Sequence, residues 1–330
     1  MLDAIITILQ VLIFPGVLFA IILALLYEWV ERKFKARLQN RIGPLYTGWH
    51  GILQPFADII KLWSKEDIVP AEADKTMFTI APMLALASQL ISFLIIPVVS
   101  VYALVHFEGD LALLAFLSTV YLIAAGIGGL SSNNRFSAIG AGRSIIQHVG
   151  YEIPLLFVYA SAAFIAQSWS LSKIVEYQVK TGVPLIAFLG IGFGISIISL
   201  LAFIERIPFD IPEAETEIVA GWLTEFSGKK YAFFWLADDV QLLVGAGITA
   251  ALFLGGPCGP VPGIPIVDEI LYVIYFIIKT VIIVLILASI EASSARYKIT
   301  QAVSGFWKYL TPLSILQLLI VFALRLYGVI

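Results

Sequence analysis

Eight stretches of about 20 consecutive, predominantly apolar residues decide what this chain of 330 residues can become. They lie near 2–27, 77–105, 111–131, 146–167, 184–204, 237–256, 270–290 and 309–328. A helix needs roughly that length to cross the hydrocarbon core of a bilayer, and only a helix satisfies every backbone polar group along such a run. The expected fold is therefore an all-α integral membrane protein with about eight transmembrane helices. The polar remainder agrees. With 60% hydrophobic and 13% charged residues, against roughly 45–50% and about 25% in soluble domains, too little polar side chain exists to face water on all sides. The first run has no basic segment before it and no small-residue cleavage site, so it reads as a retained helix rather than a signal peptide. No repeat or low-complexity linker breaks the sequence, which leaves one membrane domain over 1–330 as the simplest organisation.

Charge placement sets the orientation. Sixteen of the 20 Lys and Arg fall in the loops 32–75, 132–145, 205–236 and 291–308, and basic loops stay on the cytoplasmic side. A cell-membrane, multi-pass protein with both termini outside follows. Two further segments have helical periodicity without spanning length. In Trp49–Lys65, Ile52, Phe56, Ile59, Ile60 and Trp63 alternate with Gln54, Asp58, Lys61 and Lys65, the pattern of a helix lying in the membrane plane. Leu171–Val179 is a shorter example on the opposite side.

Several function classes drop out. A net charge of −3 provides no basic field for nucleic acid. Cys258 is the only cysteine, and His50, His106 and His148 are far apart, so the chain alone offers no cluster or metal-ligand set. No nucleotide-binding glycine loop, zinc-protease helix or serine-hydrolase elbow occurs.

The remaining chemistry lies in misplaced charge. Glu152, in the fourth run, costs at least ~2.5 kcal/mol at membrane depth and needs protein or water around it; a proton or ion relay is favoured over a purely structural carboxylate. Lys279, near the middle of the seventh run, is too deep to snorkel easily and reads as a buried charge partner or relay member. Between Glu205 and Glu225 six carboxylates, Glu205, Asp210, Glu213, Glu215, Glu217 and Glu225, meet one Arg206. Asp210 can cap a helix with Pro212 at an early position and Glu213 closing the box. Glu213 and Glu217 would then share a face as like charges, which raises proton affinity and suits groups that pass protons on. The first loop is the reverse: Glu28 and Glu31 abut Arg32, Lys33, Lys35, Arg37 and Arg41, with Asp58 as an acidic counterpart. That cluster serves topology, partner docking or a polar cavity.

At these residues the sequence resembles the NADH dehydrogenase subunit 1 group, the membrane subunit beneath the peripheral redox arm of respiratory complex I and its relatives. The matching pieces are Glu31-Arg32-Lys33, Gln39-Asn40-Arg41-Ile42-Gly43-Pro44, Leu53-Gln54-Pro55-Phe56-Ala57-Asp58-Ile59-Ile60-Lys61-Leu62 and Lys65-Glu66. They continue with Tyr151-Glu152, Arg206-Ile207-Pro208-Phe209-Asp210, Glu213-Ala214-Glu215-Thr216-Glu217, Glu225-Phe226-Ser227-Gly228 and Lys279-Thr280. They keep the family's order over about 28–310.

The resemblance implies a tilted helical bundle, part of it like half an antiporter module, that binds no cofactor itself. It implies an iron–sulfur subunit and a large catalytic-type subunit docked on the cytoplasmic loops, antiporter-like and small membrane subunits alongside, and in complex I itself a quinone chamber. Glu31, Arg32, Arg37, Arg41, Lys61, Arg206, Phe209 and Asp210 would border that chamber or the docking surface. Asp58, Glu152, Glu213, Glu215, Glu217, Glu225, Asp238 and Lys279 would carry charge into the membrane; at Asp238 the family usually has Glu.

Two departures shift the expected partner reaction. The family's Glu three residues before the motif Arg is Phe203 here, with an acid at Glu205 instead. Its basic Pro-Arg-x-Arg-Tyr-Asp-Gln run is replaced by Ser293-Ser294-Ala295-Arg296-Tyr297-Lys298-Ile299-Thr300-Gln301. Both point towards ferredoxin-linked membrane-bound hydrogenases and the sulfur-reducing complexes of archaea, with a quinone-type complex as the alternative and a stand-alone secondary transporter as the remote one.

Overall fold

The computed structural model describes residues 2–328, and among them every regular element is helical. Seven helices are long and apolar enough to cross a membrane. The first apolar run is split, because Pro15 has no N–H to donate: α1 covers Leu2–Leu12 and α2 Val17–Leu38. An in-plane helix follows, α3 (Gln54–Ser64), then α4 (Lys75–Leu94), α5 (Asp110–Ser131), α6 (Arg135–Ala166) and the short α7 (Leu171–Thr181). The fifth run departs from expectation. Pro184 starts a single 3-10 turn, Leu185–Ala187, and the helix proper, α8, covers only Gly190–Phe203. At 1.5 Å per residue it is about 21 Å long, short of a full span. After the four-residue α9 (Glu215–Ile218) come α10 (Gly228–Leu254), α11 (Pro265–Ser293), α12 (Ile299–Gly305), a π-helical turn Phe306–Leu310 and α13 (Thr311–Leu326).

Four helices, α2, α6, α10 and α11, reach past the apolar runs that announced them, shortening the expected loops. In α2 the extension to Leu38 is supported by Glu28 with Arg32 and by Glu31 with Lys35 at 3.1 Å, both one turn apart. In α6 the extension back to Arg135 is capped by Asn134, whose side chain accepts from the Phe136 N–H at 2.8 Å. It packs where Gly140 lets the Trp222 backbone approach; a Cβ there would sit 2.5 Å from the Trp222 nitrogen. α10 starts nine residues before its apolar run because it does not face lipid.

The bundle is organised around α10, which packs on α2, α3, α4 and α11 and is buried almost throughout. By contrast α11 and α13 leave most of their residues open to the surroundings, as expected of lipid-facing helices. α3 lies against α2 and α10, turning Asp58 and Leu62 inward while Ile60 and Trp63 stay exposed. Its apolar stripe is thus free for the bilayer interface and its polar stripe is the one used in packing.

Candidate functional site

At the end of the bundle where α2 finishes and α10 begins, helical charge and loop charge converge. α2 contributes Glu28, Glu31, Arg32 and Lys35, α10 contributes Tyr231, Trp235 and Asp238, and the segment after α8 contributes Arg206 and Glu213. With Leu223 they enclose a cavity of about 250 Å³. Four carboxylates and three cations line it, so its walls hold water and counter-charge rather than an apolar molecule.

The ion pairs are chained. Arg32 bonds Asp58 at 2.9 Å, pairs with Glu28 and lies over the Trp235 ring, 5.2 Å from its centroid. Gln54 and Lys61 also donate to Asp58, at 3.0 and 3.4 Å. Burial works to raise the Asp58 carboxyl, but these donors, Arg32 foremost, hold it below the usual carboxylate range. Lys35 joins Glu31 to Glu291 of α11 at 3.1 and 2.6 Å. Arg206 approaches Glu31 at 3.8 Å. The Glu31 charge raises the Arg206 guanidinium against its burial, so Arg206 is a permanent cation. Across the cavity Tyr121 donates to Asp238. Burial, then the like charges of Asp238 and Glu205, push the Glu213 carboxyl well above its ordinary range despite Arg206. Glu213 is therefore a carboxyl whose surroundings favour its protonated form.

The acidic segment does not form the capped helix that its sequence suggests. Residues 211–214 are not helical, with a turn at 212–213, and helix is confined to Glu215–Ile218 and a single 3-10 turn, Gly221–Leu223. Two prolines, Pro208 and Pro212, take away backbone donors, and Gly221 (φ +55°) closes the segment on itself: a Cβ there would lie 1.8 Å from the Pro212 carbonyl oxygen. Asp210 is consequently no helix cap. It pairs with Arg296 at 2.5 Å, and burial raises its carboxyl even so. Nor do Glu213 and Glu217 share a face. Glu213 turns into the cavity, while Glu217 is exposed and bonds Arg143 at 2.6 Å. Glu215 is exposed, and Glu225 accepts from Asn134 at 2.5 Å outside the cavity. Phe209 is buried against Phe306 and Tyr297, with ring centroids 5.1 and 5.8 Å away.

Other expected residues lie elsewhere. Arg37 and Arg41 are exposed beyond the end of the cavity, as is Lys61. Glu152 sits in mid-α6, pairing with His148 at 2.7 Å and accepting from Thr119 at 3.3 Å. Lys279 differs from expectation most. No carboxylate among the described residues pairs with it; its ammonium donates to the carbonyls of Leu254, Gly256 and Cys258 at 2.6, 2.9 and 2.7 Å. Those carbonyls belong to the last residue of α10 and to the turn that follows it, where a helix end leaves acceptors unmatched, and three bonds use all the donors that an ammonium has. Lys279 caps a helix instead of partnering a buried charge.

Five participants escaped the sequence reading. Glu28 and Lys35 were visible only as members of a basic cluster, and Glu291 read as a loop residue because α11 extends further than its apolar run. Asp239, buried beside Glu28, was not singled out, since nothing in the sequence separates it from Asp238. Glu205, whose carboxylate accepts from Ser144 and from Trp222 Nε1 at 3.3 Å, registered as one of six loop carboxylates and a displaced acid, with no role of its own.

Comparison with known proteins gives a consistent picture. The profile of the family described as NADH dehydrogenase matches residues 9–322. An NADH-quinone oxidoreductase subunit of Dehalococcoides mccartyi is 38% identical over 302 residues, 92% of this chain and 82% of that protein. The corresponding NADH-quinone oxidoreductase protein of Syntrophobacter fumaroxidans is 38% identical over 301 residues, 88% of each. Among solved structures, a chain of the membrane-bound sulfane sulfur reductase, an archaeal respiratory membrane complex, superposes with a TM-score of 0.85. It is 24% identical and covers 96% of this chain and 99% of its own, a likeness of fold.

Proposed function

Because the chain belongs to the NADH dehydrogenase family, we propose that it is the membrane anchor and coupling subunit of an ion-translocating, complex I-like respiratory oxidoreductase. Its basic end faces the cytoplasm, with both termini outside, and docks a peripheral arm made of an iron–sulfur subunit and a large catalytic-type subunit. The chain holds no cofactor of its own; electrons stop at a cluster in the docked subunit. Antiporter-like and small membrane subunits continue the assembly within the bilayer.

One observation carries the reading: the charged cavity at the basic end, where Glu28, Glu31, Glu213 and Asp238 meet Arg32, Lys35 and Arg206. A change of charge in the docked arm acts on this enclosed network at low dielectric, where electrostatic effects are strong. Glu213, held close to protonation by its neighbours, takes up a proton in response; Asp238 and then Glu152 carry the charge onward. The same lining favours a hydrogenase- or sulfur-reductase-type complex, since a quinone ring and its tail need apolar walls and this cavity offers Leu223, Tyr231 and Trp235 among seven charged residues. A quinone-reducing complex is the second reading, favoured by the names of the curated relatives.

Purification of the tagged chain from native membranes tests the assembly: iron–sulfur proteins are expected to accompany it, and recovery as a homo-oligomer alone overturns the proposal in favour of a transporter. In vesicles bearing the assembled complex, Glu213→Gln and Glu152→Gln are each expected to lower ion translocation per electron. Unchanged pumping in both removes the relay. Turnover with ferredoxin against turnover with a quinone separates the two complexes.

A further inference from the structure

α6 carries a polar stripe into the bilayer. Ser144, Gln147, His148, Tyr151 and Glu152 recur at helical spacing, and the eight steps from Ser144 to Glu152 cover about 12 Å of depth. At the upper end Ser144 donates to Glu205, whose carboxylate stands within electrostatic reach of Asp238, Glu213 and Tyr151. At the lower end Glu152 lines a second cavity of about 40 Å³ with Gln89, Ser92, Ser118, Ser196 and Thr249. That volume has room for about three waters. Such waters have partners to meet, since the Gln89 amide and the Ser196 hydroxyl are buried without a protein hydrogen bond.

His148 joins the two ends. It is 3% exposed, its Nδ1 lies 2.6 Å from the Tyr151 hydroxyl and its Nε2 2.7 Å from Glu152. A carboxylate only accepts, so the neutral ring has its proton on Nε2 and takes the Tyr151 O–H at Nδ1. The protonated ring donates from both nitrogens, to the Tyr151 oxygen and to Glu152. Both charge states keep the Tyr151 bond with no heavy atom moved, while Nε2, close to Glu152 but off hydrogen-bond angle, makes its bond on a turn of the ring or the carboxylate. Around them Tyr151 makes ring contacts with Phe203 and Phe306, which hold its hydroxyl against the imidazole.

We propose that His148 and Glu152 form one proton-loading site, filled from Glu205 and emptied into the Gln89 cavity. Loading adds one proton, given up by the Glu205 carboxyl, and turns imidazole–carboxylate into imidazolium–carboxylate. Unloading passes one proton to water in the cavity, and no other bond changes. The pair thus alternates between charges of −1 and 0, which keeps a lone positive charge out of the membrane. The inference rests on the coupling role proposed above and adds His148 as the residue that makes Glu152 reachable.

The test uses the assembled complex in native membrane vesicles, with the amount assembled measured by the tag and by cluster content. His148→Gln keeps a hydrogen-bonding side chain that cannot titrate. It is expected to slow ion translocation at least ~100-fold, the low side of what a positioned proton-transfer group contributes, and the double variant with Glu152→Gln should be no slower than Glu152→Gln alone. In infrared difference spectra taken on turnover, an imidazolium band should appear in the wild type and vanish in either single variant. If His148→Gln pumps normally while Glu152→Gln does not, the paired site is wrong and the relay stands. If Glu152→Gln also pumps normally, the paired site is wrong, and the relay falls with it when Glu213→Gln pumps normally too. Should His148→Gln fail to assemble, the wild-type spectrum decides: no imidazolium band on turnover overturns the proposal.

Discussion

Glu205 shows how a single side chain records its surroundings. Burial above all, then the charges of Asp238 and Asp210, push its carboxyl up to about 7, although Ser144 and Trp222 bond its ionised form. A carboxyl raised on folding favours the folded state fully below the ordinary value near 4.5; that advantage is lost as pH climbs to about 7. Glu205→Gln removes the ionisation and keeps the hydrogen-bonding atoms. The purified assembly should therefore gain in melting temperature from this substitution at pH 8 and gain little at pH 4.5; an equal gain at both would contradict the assignment. The same scale explains what sequence could supply. Asp58 was identifiable as the partner of the basic cluster because a lone acid on an amphipathic helix must meet a cation. Lys279 was not, because backbone carbonyls, its actual partners, leave no trace in a sequence.

Among elements, the segment between α8 and α10 holds the site's geometry, and it was the least legible. Asp210, Pro212 and Glu213 stand at the spacing of a capped helix, yet the tight closure of Gly221 on Pro212 overrides local preference and sends Glu213 and Glu217 in opposite directions. Gly221→Ala places a side chain both in the left-handed region, at a cost of roughly 1–2 kcal/mol, and against the Pro212 carbonyl. It should displace Glu213 and depress coupled turnover while the helices persist; circular dichroism unchanged beside a several-fold loss of translocation is the expected pair of readings, and normal translocation would show that the closure is dispensable. Helix existence, in contrast, was legible wherever 20 apolar residues ran together. Helix ends were not, because α2 and α6 extend through polar residues stabilised by Glu28–Arg32, Glu31–Lys35 and the Asn134 cap, contacts that a hydropathy pattern does not weigh.

Across the whole molecule charge is segregated: a lipid-facing exterior, an internal ionic network, and exposed cations such as Arg37 and Arg41 at the basic end. Exposed charges act over about 8 Å at physiological salt, so in the docking role proposed for them they would steer and hold the peripheral arm without adding to the stability of the chain. Reversal of both, Arg37→Glu with Arg41→Glu, should release the peripheral arm at lower salt than in the wild type and leave the melting of the membrane part unchanged. Retention of the arm at the wild-type salt concentration would place docking elsewhere.

The near-complete burial of α10 also bears on how the protein is made. Its apolar window has the lowest mean hydropathy of the seven spanning helices, 1.5, and it carries Asp238 and Asp239. Alone in lipid it would expose both acids; beside α2 and α4, two of its packing partners, it does not. These partners are synthesised first, so α10 enters a membrane already furnished with its neighbours, and the order of the gene's codons doubles as an assembly schedule. A permuted chain that made α10 before them would face the bilayer with its most polar span unaccompanied.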